Sequence, residues 1–224
     1  MTKVYIVSEG PTEKLFIDEL LEPVLRPHKV WPIACLIGES GAKGGNISRA
    51  RAEKTVLNLL KQHQDSYCTT LFDYYGLRGD FPGLPAPPGK TTEEKATLVE
   101  EAFCSIVAEQ LPDRLRPDRF LPYIQMHEFE GLLFSNPSGL AKGIYRRDLE
   151  RHLEDIRRRF GTPEDINDRR ETSPSHRIRS LYPGYQKPLY GALAALEIGI
   201  AAIRAECGRF NAWVERLCRL GNPA

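Results

Sequence analysis

Apolar residues are arranged along this chain in two periods. Val4-Tyr5-Ile6-Val7 is a short continuous apolar run, the pattern of a strand buried on both faces. Ser8-Glu9-Gly10-Pro11-Thr12-Glu13 follows, with Gly10 suited to a tight turn and Pro11 to the first turn of a helix. Phe16, Leu20 and Val24 then recur at helical spacing beside Ile17 and Leu21, and Pro27 closes that helix. Val30 to Ile37 reads as a second strand. Ser48 opens a helix whose Ala52, Val56, Leu59 and Leu60 face inward. Cys68 to Tyr75 is β-branched and aromatic and predicts a third strand, with Asp73 near its end. Thr92 caps a helix running to about Gln110. Phe120 to Met126 is a fourth strand, and Phe129 to Phe134 starts a short helix.

After Asn136 the pattern changes. Arg146 to Phe160 reads as a charged helix, Lys187 to Cys207 as an alanine-rich helix, and Phe210 to Leu220 as a last short one. Two stretches resist regular structure. Gly76 to Lys90 is rich in proline and glycine and is expected to be a mobile, lid-like loop. Gly161 to Ser175 is polar, with Pro163 and Pro174. Strand–helix alternation followed by helices predicts an α/β fold: a mostly parallel four-stranded core over residues 1–136, with a helical region, 137–224, packed on it.

Composition narrows the class. With 41% hydrophobic and 27% charged residues in 224, the chain is ordinary globular protein. A net charge of +1 gives no global field for a polyanion, so any nucleic-acid surface must be local. Five scattered cysteines, with no C-x-x-C pair, argue against a disulfide framework or a zinc site and for reduced thiols in a cytoplasmic protein. No basic stretch followed by a long apolar run opens the chain, so no secretory leader is expected. The longest apolar candidate for a membrane span, Leu189 to Ile203, is interrupted by Gly191, Glu197 and Gly199.

The candidate chemistry is acidic. Glu9 follows strand one, Asp73 falls late in strand three, and Glu130 follows strand four; ligands of α/β sheets gather at such strand ends. Clustered carboxylates repel unless a cation sits between them, and an all-oxygen set favours Mg2+ or Mn2+ over zinc. Asp73 beside Phe72 is costly to bury unpaired. His127-Glu128-Phe129-Glu130 begins like the zinc-peptidase H-E-x-x-H, but Gly131 stands where the second histidine belongs. A zinc protease is excluded, and His127 reads better as a supporting or structural residue. Gly41-Ala42-Lys43-Gly44-Gly45 lacks the ending of a nucleotide-binding P-loop; it is either a surface loop or a place where Lys43 meets a phosphodiester. Arg146, Arg147, Arg151, Arg157, Arg158 and Arg159, extended by Arg169, Arg170, Arg177 and Arg179, are either a salt-bridged solvated surface or a phosphate-binding one.

These motifs bear a resemblance. Val7-Ser8-Glu9-Gly10-Pro11-Thr12-Glu13 before a helix resembles the first motif of the topoisomerase-primase (Toprim) fold, as does an aspartate ending the third strand. Three stretches together resemble the bacterial domain-of-unknown-function family 4276, a Toprim-like group: Leu71 to Leu77 with Asp80-Phe81-Pro82-Gly83, Pro122 to Glu130, and Lys187-Pro188 through Cys207 with Phe210-Asn211-Ala212-Trp213. The resemblance implies a Toprim sheet and a metal-dependent, nuclease-like site. It points to the nuclease subunits of phage-defence systems related to the overcoming-lysogenization-defect group, which work beside an ATPase. Glu9 then matches the Toprim glutamate, Asp73 the first aspartate of D-x-D, and Glu130 the glutamate opening the helix after the last core strand. The sequence departs at Tyr75, where a second aspartate is expected; Asp80, Glu13 and Glu128 are the carboxylates that would compensate.

The leading expectation is therefore hydrolysis of DNA or RNA phosphodiesters. Glu9, Asp73 and Glu130 are its metal ligands, Glu13 or Glu128 an auxiliary ligand or base, and Lys43 or Lys187 the phosphate contact. The alternative is a non-catalytic module that binds nucleic acid or a partner ATPase. A small-molecule phosphotransferase or phosphatase is a third, for which no substrate motif is visible.

Overall fold

In the computed structural model, residues 1–37, 47–112, 115–167 and 170–221 are described, Arg170 by its backbone alone. The chain opens with β1 (Thr2–Ser8), α1 (Pro11–Phe16), a π-helical turn (Ile17–Leu21) and α2 (Glu22–Leu25). Next come β2 (Val30–Leu36), α3 (Arg49–Gln62), β3 (Tyr67–Asp73) and α4 (Thr92–Gln110). Two short strands follow, β4 (Phe120–Leu121) and β5 (Ile124–Gln125), and then α5 (Glu130–Leu133). The sheet order is β2-β1-β3-β4, with β5 also on β3, and every pairing is parallel. This is the mostly parallel α/β sheet that the alternating pattern predicts.

The expected fourth strand is divided. Phe120-Leu121 and Ile124-Gln125 each pair with β3, and Pro122-Tyr123 between them do not. The Thr70 hydroxyl fills the gap, donating to the Tyr123 carbonyl (2.8 Å) and accepting its N–H (2.9 Å). A proline supplies no ladder donor, so a side chain takes over the pairing there.

β1 alternates between two cores. Val4 and Ile6 face one side, with Phe16, Leu21 and Phe129; Val7 faces the other, with Val56, Phe72 and Phe103. The C-terminal helices close the first side: α6 (Pro137–Gly143), α7 (Glu150–Arg157), α8 (Pro174–Leu181), α9 (Ala192–Ile198), α10 (Ile200–Glu206) and α11 (Gly208–Arg219). Ile178, Phe210 and Trp213 share one apolar cluster with Ile6 and Phe16. Buried Glu164 ties the layers, because its carboxylate accepts the N–H groups of Arg209 (2.9 Å) and Phe210 (3.1 Å) at the start of α11. That satisfies two of the helix's orphan donors and places an anion at its positive end.

Several local expectations are corrected. Thr91, not Thr92, caps α4, in a reciprocal capping box with Glu94. Leu57 is buried in α3, while Leu59 is only partly so. The 146–160 helix is shorter: a 3-10 turn (Arg147–Leu149) and then α7. The 187–207 helix is a π-helical turn (Lys187–Gly191) followed by α9 and α10, which meet at 84° about Gly199, at φ +77°. No single helix among the described residues is long and apolar enough to cross a membrane. In the 161–175 segment, Pro163, Glu164 and Ile166 are buried.

The 76–90 loop is not a free lid. Its Phe81 is buried edge-on between Phe72 (centroids 6.5 Å apart) and Phe103 (5.0 Å). Leu77 bridges to Ile47, and the Arg78 N–H donates to the Ile47 carbonyl at 3.0 Å. Glycine and proline deny the loop a ladder, but one phenyl ring anchors it.

Candidate functional site

The carboxyl ends of β1, β3 and β5 meet at one edge of the sheet. Asp73, the last residue of β3, is buried; its Oδ1 accepts the Phe129 N–H at 2.7 Å. Glu9 sits one residue past β1 and its Oε1 accepts the Asp73 N–H at 2.8 Å. Gly76 leaves room for this carboxylate: a Cβ there would lie 2.3 Å from Glu9 Oε1 and 2.7 Å from Oε2 and would displace it. Glu13, in the first turn of α1, and Glu130, which opens α5, are both buried. Tyr185 donates to Glu130 Oε1 at 3.5 Å.

Lys187 lies among them. Its Nζ is 2.7 Å from Asp73 Oδ2, 3.1 Å from Glu13 Oε1 and 3.4 Å from Glu130 Oε2, and 5.8 Å from the centre of the Phe129 ring. The sequence leaves Lys187 as one of two possible phosphate contacts; the structure makes it the counter-ion of the acidic group. Glu9, Glu13, Asp73, Gly76, Glu130 and Lys187 line a cavity of about 580 Å³ that also reaches Glu128, Tyr75 and Arg179.

The charges of the group are coupled. Burial raises the Asp73 carboxyl well above its ordinary range, against the pull of Lys187, and raises Glu130 in the same way. Burial likewise pushes Glu9 up to about 7; Lys187 opposes the shift, and Glu13 and Glu130 add to it. Burial pulls Lys187 down, but Asp73, Glu130, Glu13 and Glu9 more than reverse that and hold it well above the ordinary lysine range, so the ammonium stays charged.

The remaining candidates divide. Glu128 lines the cavity, but its Oε2 accepts the Ser175 N–H (2.9 Å) at the start of α8. His127 is buried with Nδ1 unpartnered, and burial, then Lys95, lowers it to about 4, so it is neutral. It packs against Tyr74 and Tyr75 as a structural ring. Asp80 is exposed, 3.8 Å from Arg78, and does not line the cavity. Lys43 lies outside the described residues. Of the arginines, Arg146, Arg157 and Arg158 are paired with Asp148, Glu206 and Glu154. Arg179 is exposed on the cavity rim. Arg169 and the Arg170 side chain are outside the described residues. Sequence reasoning missed Tyr185 and the central role of Lys187, since neither sits in a motif near the acids.

The donors suit a hard cation in kind. All are carboxylate oxygens, and two that are buried, Glu13 Oε1 and Glu130 Oε2, accept no hydrogen bond. The ammonium occupies the space between them, and among the described residues no three His, Cys, Asp or Glu side chains are set to grip a metal ion as they stand. All five cysteines are free, and none lines the cavity.

Fold and site define a class: a parallel α/β protein with a carboxylate cavity, balanced by one lysine, at the carboxyl edge of its sheet. The chain belongs to the family described as Domain of unknown function (DUF4276), whose model matches residues 8–218. No curated protein and no solved structure matches it.

Proposed function

We propose that this protein hydrolyses phosphodiester bonds in nucleic acid with the help of Mg2+ or Mn2+. One observation carries the reading: Asp73 at the end of β3, Glu13 in the first turn of α1 and Glu130 at the start of α5 all lie within ion-pair distance of one cation, Lys187 Nζ, and Glu9 is held beside them by the Asp73 N–H. One ammonium neutralises one carboxylate, so the others are either protonated or matched by a further cation. Glu9, Glu13, Asp73 and Glu130 are the residues that would hold the ion. When bound, it would polarise the phosphate and supply hydroxide at neutral pH.

The chain's own groups do the rest. Glu128, which lines the cavity outside the set that would hold the ion, is suited to take a proton from the attacking water. Arg179 on the rim and Lys187, once moved off the acids, offer positive charge to the phosphate oxygens. The reading is tested by incubating wild type and Glu9→Gln with mixed DNA and RNA in manganese. Wild type should cleave, and Glu9→Gln should lose nearly all cleavage while keeping its fold and its nucleic-acid binding. Equal cleavage by the two would place the activity elsewhere.

The second reading is a non-catalytic module that binds nucleic acid or a partner ATPase. What favours it is Lys187 within ion-pair distance of three of the acids, a charge balance that needs no metal. Binding without cleavage by either protein selects it. A Toprim-like relationship, a role in bacterial phage defence beside an ATPase and a cytoplasmic location belong to the same proposal. The motif resemblance around Glu9 and Asp73 supports them, and co-purification with an ATPase encoded nearby tests them.

A further inference from the structure

A second cavity opens beside the carboxylate one. It measures about 290 Å³ and is lined by Tyr74, Tyr75, Leu77, Gly79, Leu84 and Pro85. The lining holds no Asp, Glu, Lys, Arg or His, whereas the first cavity carries five carboxylates. Tyr75 lines both. The volume lies at the lower end of the range for ligand pockets, the scale of one ring system rather than a whole ligand.

Tyr75 is held in place. Its N–H donates to the His127 carbonyl at 3.1 Å, and its ring lies against His127 (centroids 5.5 Å apart, 35° between planes). The Asn167 side-chain amide donates to its hydroxyl. Both Tyr74 and Tyr75 are half-buried and line this cavity. This is also the position where the sequence departs from the expected second aspartate. A tyrosine there supplies no carboxylate to a cation, and its side chain stands between the two cavities.

From this arrangement we infer that the Tyr74–Tyr75 cavity is a nucleobase subsite. It receives the base of the nucleotide whose phosphate enters the carboxylate cavity, with Tyr75 as the stacking face. The inference rests on the nucleic-acid reading above and adds to it. A phosphodiester requires the charged cavity, and the flanking base requires an uncharged aromatic one within a nucleotide's reach. Stacking on tyrosine tolerates any base, because every base has a π-face. Tyr75 is thus a positioning residue for a single-stranded or unstacked nucleotide, not a proton carrier.

The test compares two fluorescently labelled single strands of equal length, oligodeoxythymidylate and its fully abasic counterpart, by anisotropy in calcium to hold off hydrolysis. Both carry the same phosphates, so their electrostatic attraction is matched. Wild type should prefer the strand with bases. Tyr75→Ala should weaken binding of that strand by about 5- to 150-fold, the range that base–aromatic stacking supplies, and leave the abasic strand unchanged. Tyr75→Phe should restore the preference, which a purely structural hydroxyl contact to Asn167 would not do. If wild type binds both strands equally, or Tyr75→Ala weakens both alike, the subsite is overturned and the nucleic-acid reading stands. If wild type binds neither strand, both fall together.

Discussion

Replacing Lys187 by methionine removes the one ammonium among four carboxylates while keeping most of the side chain's length. Its Nζ contacts three oxygens at 2.7, 3.1 and 3.4 Å. Each such contact is worth roughly 5 kcal/mol of gross attraction at the effective dielectric of about 20 that suits protein sites. Most of that only offsets the desolvation of the ions. Breaking a buried pair by deleting one partner costs about 3–5 kcal/mol net, because the other charges stay buried. Proton uptake limits the loss here. Burial already raises Asp73 and Glu130 and puts Glu9 at about 7, so without the lysine these acids take protons readily below neutrality. Lys187→Met should therefore be about 3 kcal/mol less stable than wild type above pH 8, and the deficit should shrink towards pH 5. Urea denaturation at the two pH values measures both numbers. Manganese should stabilise the variant more than wild type, since the space among the acids has been vacated. Equal stability above pH 8, or a deficit that grows on acidification, would refute the charge-balance argument.

Three further outcomes follow from the same geometry. Gly76→Ala should weaken manganese binding and cleavage while leaving circular dichroism unchanged, because its methyl group would push the Glu9 carboxylate aside; unaltered manganese affinity by calorimetry would contradict this. Phe81→Ala should cost about 3–5 kcal/mol, as for any buried phenyl ring, and loosen the 76–90 loop to proteolysis; a loss under about 1 kcal/mol would restore the mobile lid. The raised carboxyl of Glu9 favours its protonated form in the fold, so its contribution to stability is full below pH 4.5 and is lost as pH rises through about 7. Metal affinity should show the opposite slope, rising with pH up to about 7 and levelling off, and Glu9→Gln should flatten that part of the profile.

The local part of this protein is legible in its sequence. β1, β2 and β3 follow from apolar runs whose period a strand imposes, and α1 from the Gly10-Pro11 turn; the helical stripe beyond it is carried by Phe16, Ile17 and Leu21, with Leu20 and Val24 only partly buried and the helix broken by a π-helical turn. A buried carboxylate at the end of an apolar strand demands a partner, so the sequence points to Asp73 as a paired residue without any contact being known, and Lys187 is that partner. The acids also share one edge of the sheet for a local reason. Every strand in the sheet runs the same way, so residues just past their ends gather on one side.

Tertiary structure decided what balances that charge. Lys187 lies 114 residues from Asp73, in a π-helical turn, and no spacing rule links the two. The divided fourth strand depends on a hydroxyl from Thr70, and the break between α9 and α10 on a positive φ that the alanine-rich pattern conceals. Phe81 reads as a loop residue until Phe72 and Phe103 meet around it. Periodicity reports which face of an element is apolar. It does not report which distant side chain will neutralise a buried charge, because that choice is made by the packing of layers whose contacts are far apart in the chain.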